Sequence, residues 1–118
     1  MRQFKRSTRL GEQILRDLPV ALGGILSERF KGLITFTKVR LTDDLRYATV
    51  YYSFLGKSEE RDRIEEYFQR ECRRFRKLVG SPLSIKHIPE FSFKFDPSIE
   101  AGLRIEQLLN EVKDDLQS

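Results

Sequence analysis

The chain has 118 residues, with 22 lysines and arginines against 18 aspartates and glutamates. This length predicts one domain, and 39% apolar residues are enough for a hydrophobic core, which argues against wholesale disorder. Charges interrupt every apolar stretch, so we expect neither a membrane span nor a signal peptide. One cysteine and one histidine exclude an internal disulfide framework and a Cys/His zinc site, so we expect a cytoplasmic domain without a metal or cofactor.

The positive charge is concentrated in the body of the chain. Residues 96–118 carry six acids and two bases, so the rest of the chain has a net charge of +8 although the whole chain has only +4. The excess comes from two clusters, residues 2–9 and residues 70–77, which each contribute +4. A basic body with an acidic tail indicates a polyanionic partner.

The first predicted element is an amphipathic helix. Apolar residues recur at spacings of three and four from Leu10 to Leu26, and Ser7 or Thr8 can serve as the N-cap. Pro19 lies inside this pattern and removes an amide donor, so we expect a kink or an early break there.

A β-hairpin follows. Residues 33–42 are rich in β-branched and aromatic types, which indicates a strand, and Asp43-Asp44 supplies a turn. Residues 46–55 alternate between two faces, as expected for an antiparallel hairpin with one buried face. The predicted core face of this second strand consists of Ala48, Val50, Tyr52 and Phe54.

Residues 58–79 return to helical spacing, with Ser58 as the predicted N-cap and Gly80 as the stop. With 100° per residue, four bases of this helix fan over the side opposite the apolar residues, and Arg76 lies off that side. The apolar residues are Ile64, Phe75 and Leu78. The four are Arg70, Arg73, Arg74 and Lys77. Guanidinium forks about one turn apart suit a phosphate backbone, so we predict contact with RNA. The alternative is a solvated helix face whose basic residues interact favourably with the helix dipole. This alternative accounts for fewer basic residues than are present.

The remaining elements complete an α+β fold. Residues 83–95 indicate a third strand, in which Pro89 marks a bulge or an edge position. Asp96 followed by Pro97 then begins a last helix, as an N-cap followed by proline at the first helical position. The resulting order, α-β-β-α-β-α, predicts a small sheet covered by helices.

Motifs for catalysis are weak. Residues 56–58 (GKS) imitate the end of a P-loop but lack its upstream glycine. Cys72 lies on the apolar side of the second helix, where a structural thiol is expected, and His87 has no nucleophile near it in sequence. The Asp43-Asp44 pair is explained by its turn. We therefore predict that the protein is not an enzyme.

Two weaker signals extend the predicted RNA surface. Arg6 and Arg9 would add to it if the first helix lies beside the second. Tyr47 and Tyr51, on the non-core face of their strand, are able to stack on bases, although packing against a helix is the favoured use.

Residues 86–96 (KHIPEFSFKFD) resemble the signature of the ribosome-binding factor A family of bacterial assembly factors. Three further stretches are similar to that family as well, in the same order and spacing: residues 102–109, residues 39–45 with residues 48–51, and Arg9 with residues 12–14. The resemblance implies a type II KH-like domain at residues 1–96, with a three-stranded sheet packed on helices in the order α-β-β-α-β. It is followed by an acidic C-terminal helix or tail at residues 97–118. The family has a helix-kink-helix at a small A-x-G triplet, where this chain has Glu71-Cys72-Arg73, so the kink stays an open point.

By this resemblance, the protein is a non-enzymatic assembly factor that binds the immature 30S subunit, contacts 16S rRNA and supports its maturation. It would act as a monomer, with an assembly GTPase as a further candidate partner. The residues predicted to contact RNA are Arg6, Arg9, Arg70, Arg73, Arg74, Arg76, Lys77 and Lys86. The alternative function is a KH-like protein-interaction module that docks an acidic partner.

Overall fold

The computed structural model describes residues 6–98, which form two helices and a three-stranded sheet. The elements are α1 (Arg6–Arg29), β1 (Leu33–Leu41), β2 (Tyr47–Leu55), α2 (Ser58–Gly80) and β3 (Glu90–Phe95). Their α-β-β-α-β order confirms the predicted type II KH-like arrangement. The predicted last helix lies outside the described residues.

The central strand of the sheet is β2. It pairs antiparallel with β1, where Val39 faces Val50, and parallel with β3, where Val50 faces Phe93. A parallel pair needs a long crossover, and α2 with the loop after it supplies that connection. Both helices pack against the sheet, α1 mainly on β1 and α2 mainly on β3.

The core combines the apolar face of each helix with the predicted inner face of β2. Its buried members are Ile14, Leu18, Leu22, Leu26, Ala48, Val50, Tyr52, Phe54, Ile64, Phe68, Phe75 and Val79, among others. The ring of Phe68 stacks on the ring of Phe93 with centroids 4.5 Å apart, which joins α2 to β3. The helical and strand periodicities of the sequence therefore identify most of the core correctly.

A β-bulge at Thr37 changes which residues of β1 face the core. Phe36 pairs with Tyr52 and Lys38 pairs with Tyr51, so Thr37 has no partner on β2. Before the bulge the partly buried residues have even numbers, and after it they are the odd-numbered Val39 and Leu41. The extra residue thus keeps both halves of β1 amphipathic although the alternation reverses.

Two expectations for α1 are wrong, the early break and the N-cap. The helix does not break at Pro19 but continues for ten more residues to Arg29, and the alternative expectation of a kink there stays a prediction. Pro19 is exposed, so the hydrogen bond that it removes is lost on the solvent side, while the buried Leu18 and Leu22 hold both halves against the sheet. Ser7 and Thr8 lie inside the helix and are not its N-cap.

Two boundaries in the second half also differ from prediction. The N-cap position of α2 is Lys57, without a side-chain hydrogen bond to the helix, and Ser58 is already helical. The helix then runs to Gly80 as one continuous element that includes residues 71–73. β3 begins only at Glu90, directly after Pro89, because residues 81–89 form a loop instead of strand.

Candidate nucleic-acid interface

The four bases predicted to share one face of α2 are all exposed in the structure. They are Arg70, Arg73, Arg74 and Lys77. Ile64 and Phe75 are fully buried in the core, as predicted, but Leu78 is 40% exposed, so its place on the buried side was wrong. The Glu71 side chain approaches Arg74 at 3.7 Å, but both are at least partly exposed, so the pair contributes little to stability. The α2 face thus presents a row of cations to the solvent.

An open groove of about 1060 Å³ runs beside the C-terminal half of α2. One side is basic and includes Arg73 and Lys77, whereas Leu78, Pro82 and Phe91 contribute apolar surface. Single-stranded nucleic acid binds where cationic side chains contact its phosphates and apolar side chains pack against its nucleobases. The groove therefore places the α2 cations where they can act together on a polyanion.

Arg76 is tied to the backbone of the loop before β3. Its Nε donates a hydrogen bond of 2.8 Å to the carbonyl of Pro89, and its Nη2 donates one of 2.5 Å to the carbonyl of Ile88. The side chain is partly buried and lines the groove. Its guanidinium therefore braces the 81–89 loop against α2, and its contact with RNA stays a prediction.

The other predicted bases lie away from α2. Arg6 and Lys86 are 80 positions apart in sequence but line the same cleft of about 560 Å³, at the end of the sheet where the β1–β2 turn lies. Arg46 and Tyr47 of that turn line the cleft as well, and sequence reasoning missed Arg46 because a lone base beside a turn carries no pattern. Arg9 is exposed on α1 and lines neither opening.

The carboxyl groups with shifted pKa values are held ionised by hydrogen bonds. The hydroxyl of Thr42 lowers the pKa of Asp44, and the backbone amides of Gly32 and Lys31 lower the pKa of Glu60. The pKa of Asp96 is lowered first by the amide of Ser98. Each of these carboxylates accepts hydrogen bonds that organise a turn or a strand end.

Within residues 6–98, no three metal-ligating side chains come together as a site for a metal ion. In the same part of the chain, no helix has the length and apolar content needed to cross a bilayer. The features available for binding are therefore the α2 groove and the cleft at the end of the sheet.

The fold and these surfaces define a KH-like α+β domain with a basic helix face. The family model described as Ribosome-binding factor A matches residues 6–109, and the chain belongs to the ribosome-binding factor A family. A ribosome-binding factor A from Dichelobacter nodosus is 40% identical over 93% of this chain and 91% of its own length. One from Geobacter sulfurreducens is 38% identical over 93% of each chain.

Solved structures of the same family share the fold. The solution structure of a Thermotoga maritima protein described as a ribosome binding factor A superposes with a TM-score of 0.63. It has 35% identity and covers 80% of this chain and 90% of its own. A Thermus thermophilus ribosome-binding factor A, fitted as a homology model into a cryo-EM map of its complex with the 30S subunit, gives a TM-score of 0.64. At 21% identity over 77% of this chain and 96% of its own, it shows the fold alone.

Proposed function

We propose that this protein is an assembly factor that binds the immature 30S subunit, contacts 16S rRNA and supports its maturation. The observation that carries the proposal is the row of exposed bases on α2 beside a groove with an apolar floor. Membership of the ribosome-binding factor A family supports it, as does the 30S complex of the Thermus thermophilus relative. The proposal includes a cytoplasmic, monomeric protein and an assembly GTPase as a second partner.

The spacing of the α2 bases favours a phosphate backbone over a compact anionic ligand. Positions three and four apart project side chains one above the other, so Arg70, Arg73, Arg74 and Lys77 form a row along the helix instead of a pocket. Arginine presents a planar fork that fits phosphate with two hydrogen bonds, whereas lysine acts as a point charge. A row of such groups suits the repeating charges of RNA.

We infer that the protein acts on the subunit by binding and not by chemistry of its own. Hydrogen bonds within the fold engage the carboxylates of Asp44, Glu60 and Asp96, so these groups are explained by structural roles.

Co-sedimentation with purified 30S subunits tests the proposal. The variant with both Arg73→Glu and Lys77→Glu should lose co-sedimentation, because reversing two adjacent charges repels the phosphate backbone. Its melting temperature should stay close to that of the wild type, since both side chains are exposed. The matched control, Arg16→Glu with Arg63→Glu, reverses two exposed bases that line neither opening. Unaltered sedimentation of the Arg73/Lys77 variant would contradict the proposal.

Ribonuclease treatment of a pull-down distinguishes the proposed RNA binding from the alternative function, a module that docks an acidic protein. If RNA holds the complex, treatment of a pull-down with ribonuclease should release the bound partners. If an acidic protein occupies the α2 face, the partners should remain bound after digestion, and the same charge reversals should release them.

A further inference from the structure

We propose that the cleft lined by Arg6, Arg46, Tyr47, Lys86 and His87 is a second nucleotide-binding site for single-stranded RNA. This inference rests on the proposed function, because it extends the RNA path from the α2 groove. We call this site the terminal cleft. In it, the ring of Tyr47 stacks on a nucleobase, and Arg6, Arg46 and Lys86 contact the flanking phosphates.

The terminal cleft is built from three segments that are distant in sequence. Arg6 and Leu10 belong to the first turns of α1, residues 44–47 to the β1–β2 turn, and residues 84–88 to the loop before β3. Its volume of about 560 Å³ lies within the range of roughly 300–1,000 Å³ typical of small-ligand sites. The fold therefore forms a concave site of nucleotide size outside the α2 groove.

An exposed aromatic ring lies at this site. The residue Tyr47 is 53% exposed, although a tyrosine at a strand end would normally cover its ring against neighbours. The side chain of His87 is exposed on the facing loop. Tyrosine and histidine rings are the platforms on which proteins stack unpaired bases. The packing of the described chain therefore leaves the Tyr47 ring accessible to a base.

The turn that carries Tyr47 is preorganised. Leu45 has φ of 62°, a left-handed conformation that a branched residue seldom adopts. The Asp44 carboxylate accepts hydrogen bonds of 2.6 Å from the Thr42 hydroxyl and 3.1 Å from the Arg46 amide. The amide of Thr42 in turn donates to the carbonyl of Tyr47 at 3.0 Å. These bonds hold Arg46 and Tyr47 at the wall of the cleft before any ligand arrives, which reduces the entropy lost on binding.

The charges of the terminal cleft suit phosphate. Arg6, Arg46 and Lys86 are exposed, and the charge of Arg46 helps to lower the pKa of the Asp44 carboxyl. The two acids of the lining are Asp44 and Glu90, and the carboxylate of Asp44 is already engaged by the turn. Three cations thus outnumber two acids in the lining.

The terminal cleft and the α2 groove share one lining residue. Glu90 lines both openings, and the loop between them is braced by the hydrogen bonds from Arg76 to the carbonyls of Ile88 and Pro89. Ile88 also contacts Gly80 so closely that a methyl group there would lie 2.3 Å from its Cγ2 atom. One RNA strand can therefore pass from the α2 groove across this fixed loop into the terminal cleft.

The test uses the full chain with purified 30S subunits and, separately, with a 12-nucleotide oligouridylate. We expect Tyr47→Ala to weaken binding about tenfold, the loss of one base–aromatic stack. Tyr51→Ala, on the same strand but outside the cleft, is the matched control and should bind as the wild type does. Ultraviolet irradiation followed by nuclease digestion should leave a nucleotide adduct on the peptide that contains Tyr47.

The outcomes separate the two proposals. If Tyr47→Ala binds 30S subunits as the wild type does while the Arg73/Lys77 variant does not, the terminal cleft is not an RNA site and the proposed function stands. If the wild type binds the oligouridylate through Tyr47 but ignores 30S subunits, the proposed function fails and the cleft site stands. If Tyr47→Ala weakens only the binding of partners that remain in a pull-down after ribonuclease digestion, a protein occupies the cleft and the inference is overturned.

Discussion

At the scale of single residues, Asp96 links the bulge in β1 to the end of β3. Its Oδ2 accepts a 2.7 Å hydrogen bond from the Thr37 hydroxyl, and its Oδ1 accepts one of 3.0 Å from the Ser98 amide. Its own amide donates to the carbonyl of Tyr52. The bond to Ser98 joins the side chain to an amide two residues further on, as in an Asx-turn, and the predicted N-cap role stays a prediction because the last helix lies outside the described residues. The bulge residue Thr37 of β1 is thus held by a side chain at the end of β3, although β2 lies between these two strands in the sheet.

The first prediction concerns the pH dependence of this link. Asp96→Ala should lower the free energy of unfolding at pH 7 by at least about 1 kcal/mol, the usual net contribution of one hydrogen bond, because the carboxylate accepts two. Because the folded pKa of Asp96 lies below its ordinary value of 3.8, the charged form stabilises the fold above that pH. The difference between wild type and variant should therefore shrink as the pH falls through the lowered pKa. Urea denaturation at a series of pH values measures it.

Glu66→Ala is the control for this series, since Glu66 is an exposed carboxylate on α2. It should leave the pH dependence of unfolding unchanged. A destabilisation by Asp96→Ala that stays constant from pH 7 to pH 2 would contradict the assignment, because it would show that the carboxylate charge has no part in the link.

At the scale of elements, two glycines with opposite surroundings report on how tightly the sheet and helices meet. Gly24 lies in α1, where an added Cβ would meet no atom within 4 Å. Gly32 lies before β1, where a Cβ would come 2.2 Å from the Phe54 ring and 2.7 Å from the Leu55 carbonyl. The backbone of Gly32 is held in place here, since its amide donates a hydrogen bond of 2.7 Å to the Glu60 carboxylate. The Phe54 ring is held as well, since it is buried in the core.

The second prediction follows from this contrast. Gly24→Ala should stabilise the protein by about 0.5–1 kcal/mol, because alanine lowers the entropy of the unfolded chain and introduces no clash. Gly32→Ala should destabilise it, because the Phe54 ring has to leave a buried position. Thermal denaturation of the two variants should give shifts of opposite sign. A shift of the same sign in both would show that the approach of Gly32 to Phe54 does not constrain the fold.

The same elements show how far sequence patterns lead. The alternation in β2 and the helical spacing in α2 depend only on neighbours along the chain, so they predict the buried residues well. The bulge at Thr37 depends on pairing with β2 and on Asp96, 59 positions away, so no local pattern reveals it. Pro19 misleads for a similar reason, because its local cost is offset by core packing on both sides of it.

At the scale of the whole molecule, the two candidate binding surfaces differ in how much the sequence reveals. The α2 face is predictable because helical geometry alone aligns its bases. The terminal cleft is not, since the fold brings Arg6, Arg46 and Lys86 together from three separate segments. Arg76 shows the opposite case. It lies within the basic cluster of residues 70–77, yet its side chain donates hydrogen bonds to the carbonyls of Ile88 and Pro89, which no charge pattern predicts.

The last prediction tests whether the net charge of the protein or the position of its charges governs binding to RNA. If about six phosphates of single-stranded RNA are neutralised, log K for 30S subunits should fall with log salt with a slope near −4, at roughly 0.7 per contact. Replacing Arg73 and Lys77 by glutamine should reduce that slope by about 1.4. Replacing Arg16 and Arg63 by glutamine removes the same net charge from positions outside both openings and should leave the slope unchanged. Equal effects of the two pairs would mean that the total charge, and not the α2 groove, attracts the RNA. A slope near zero in the wild type would remove the electrostatic basis of the proposed function, since neutralised phosphates must release counterions.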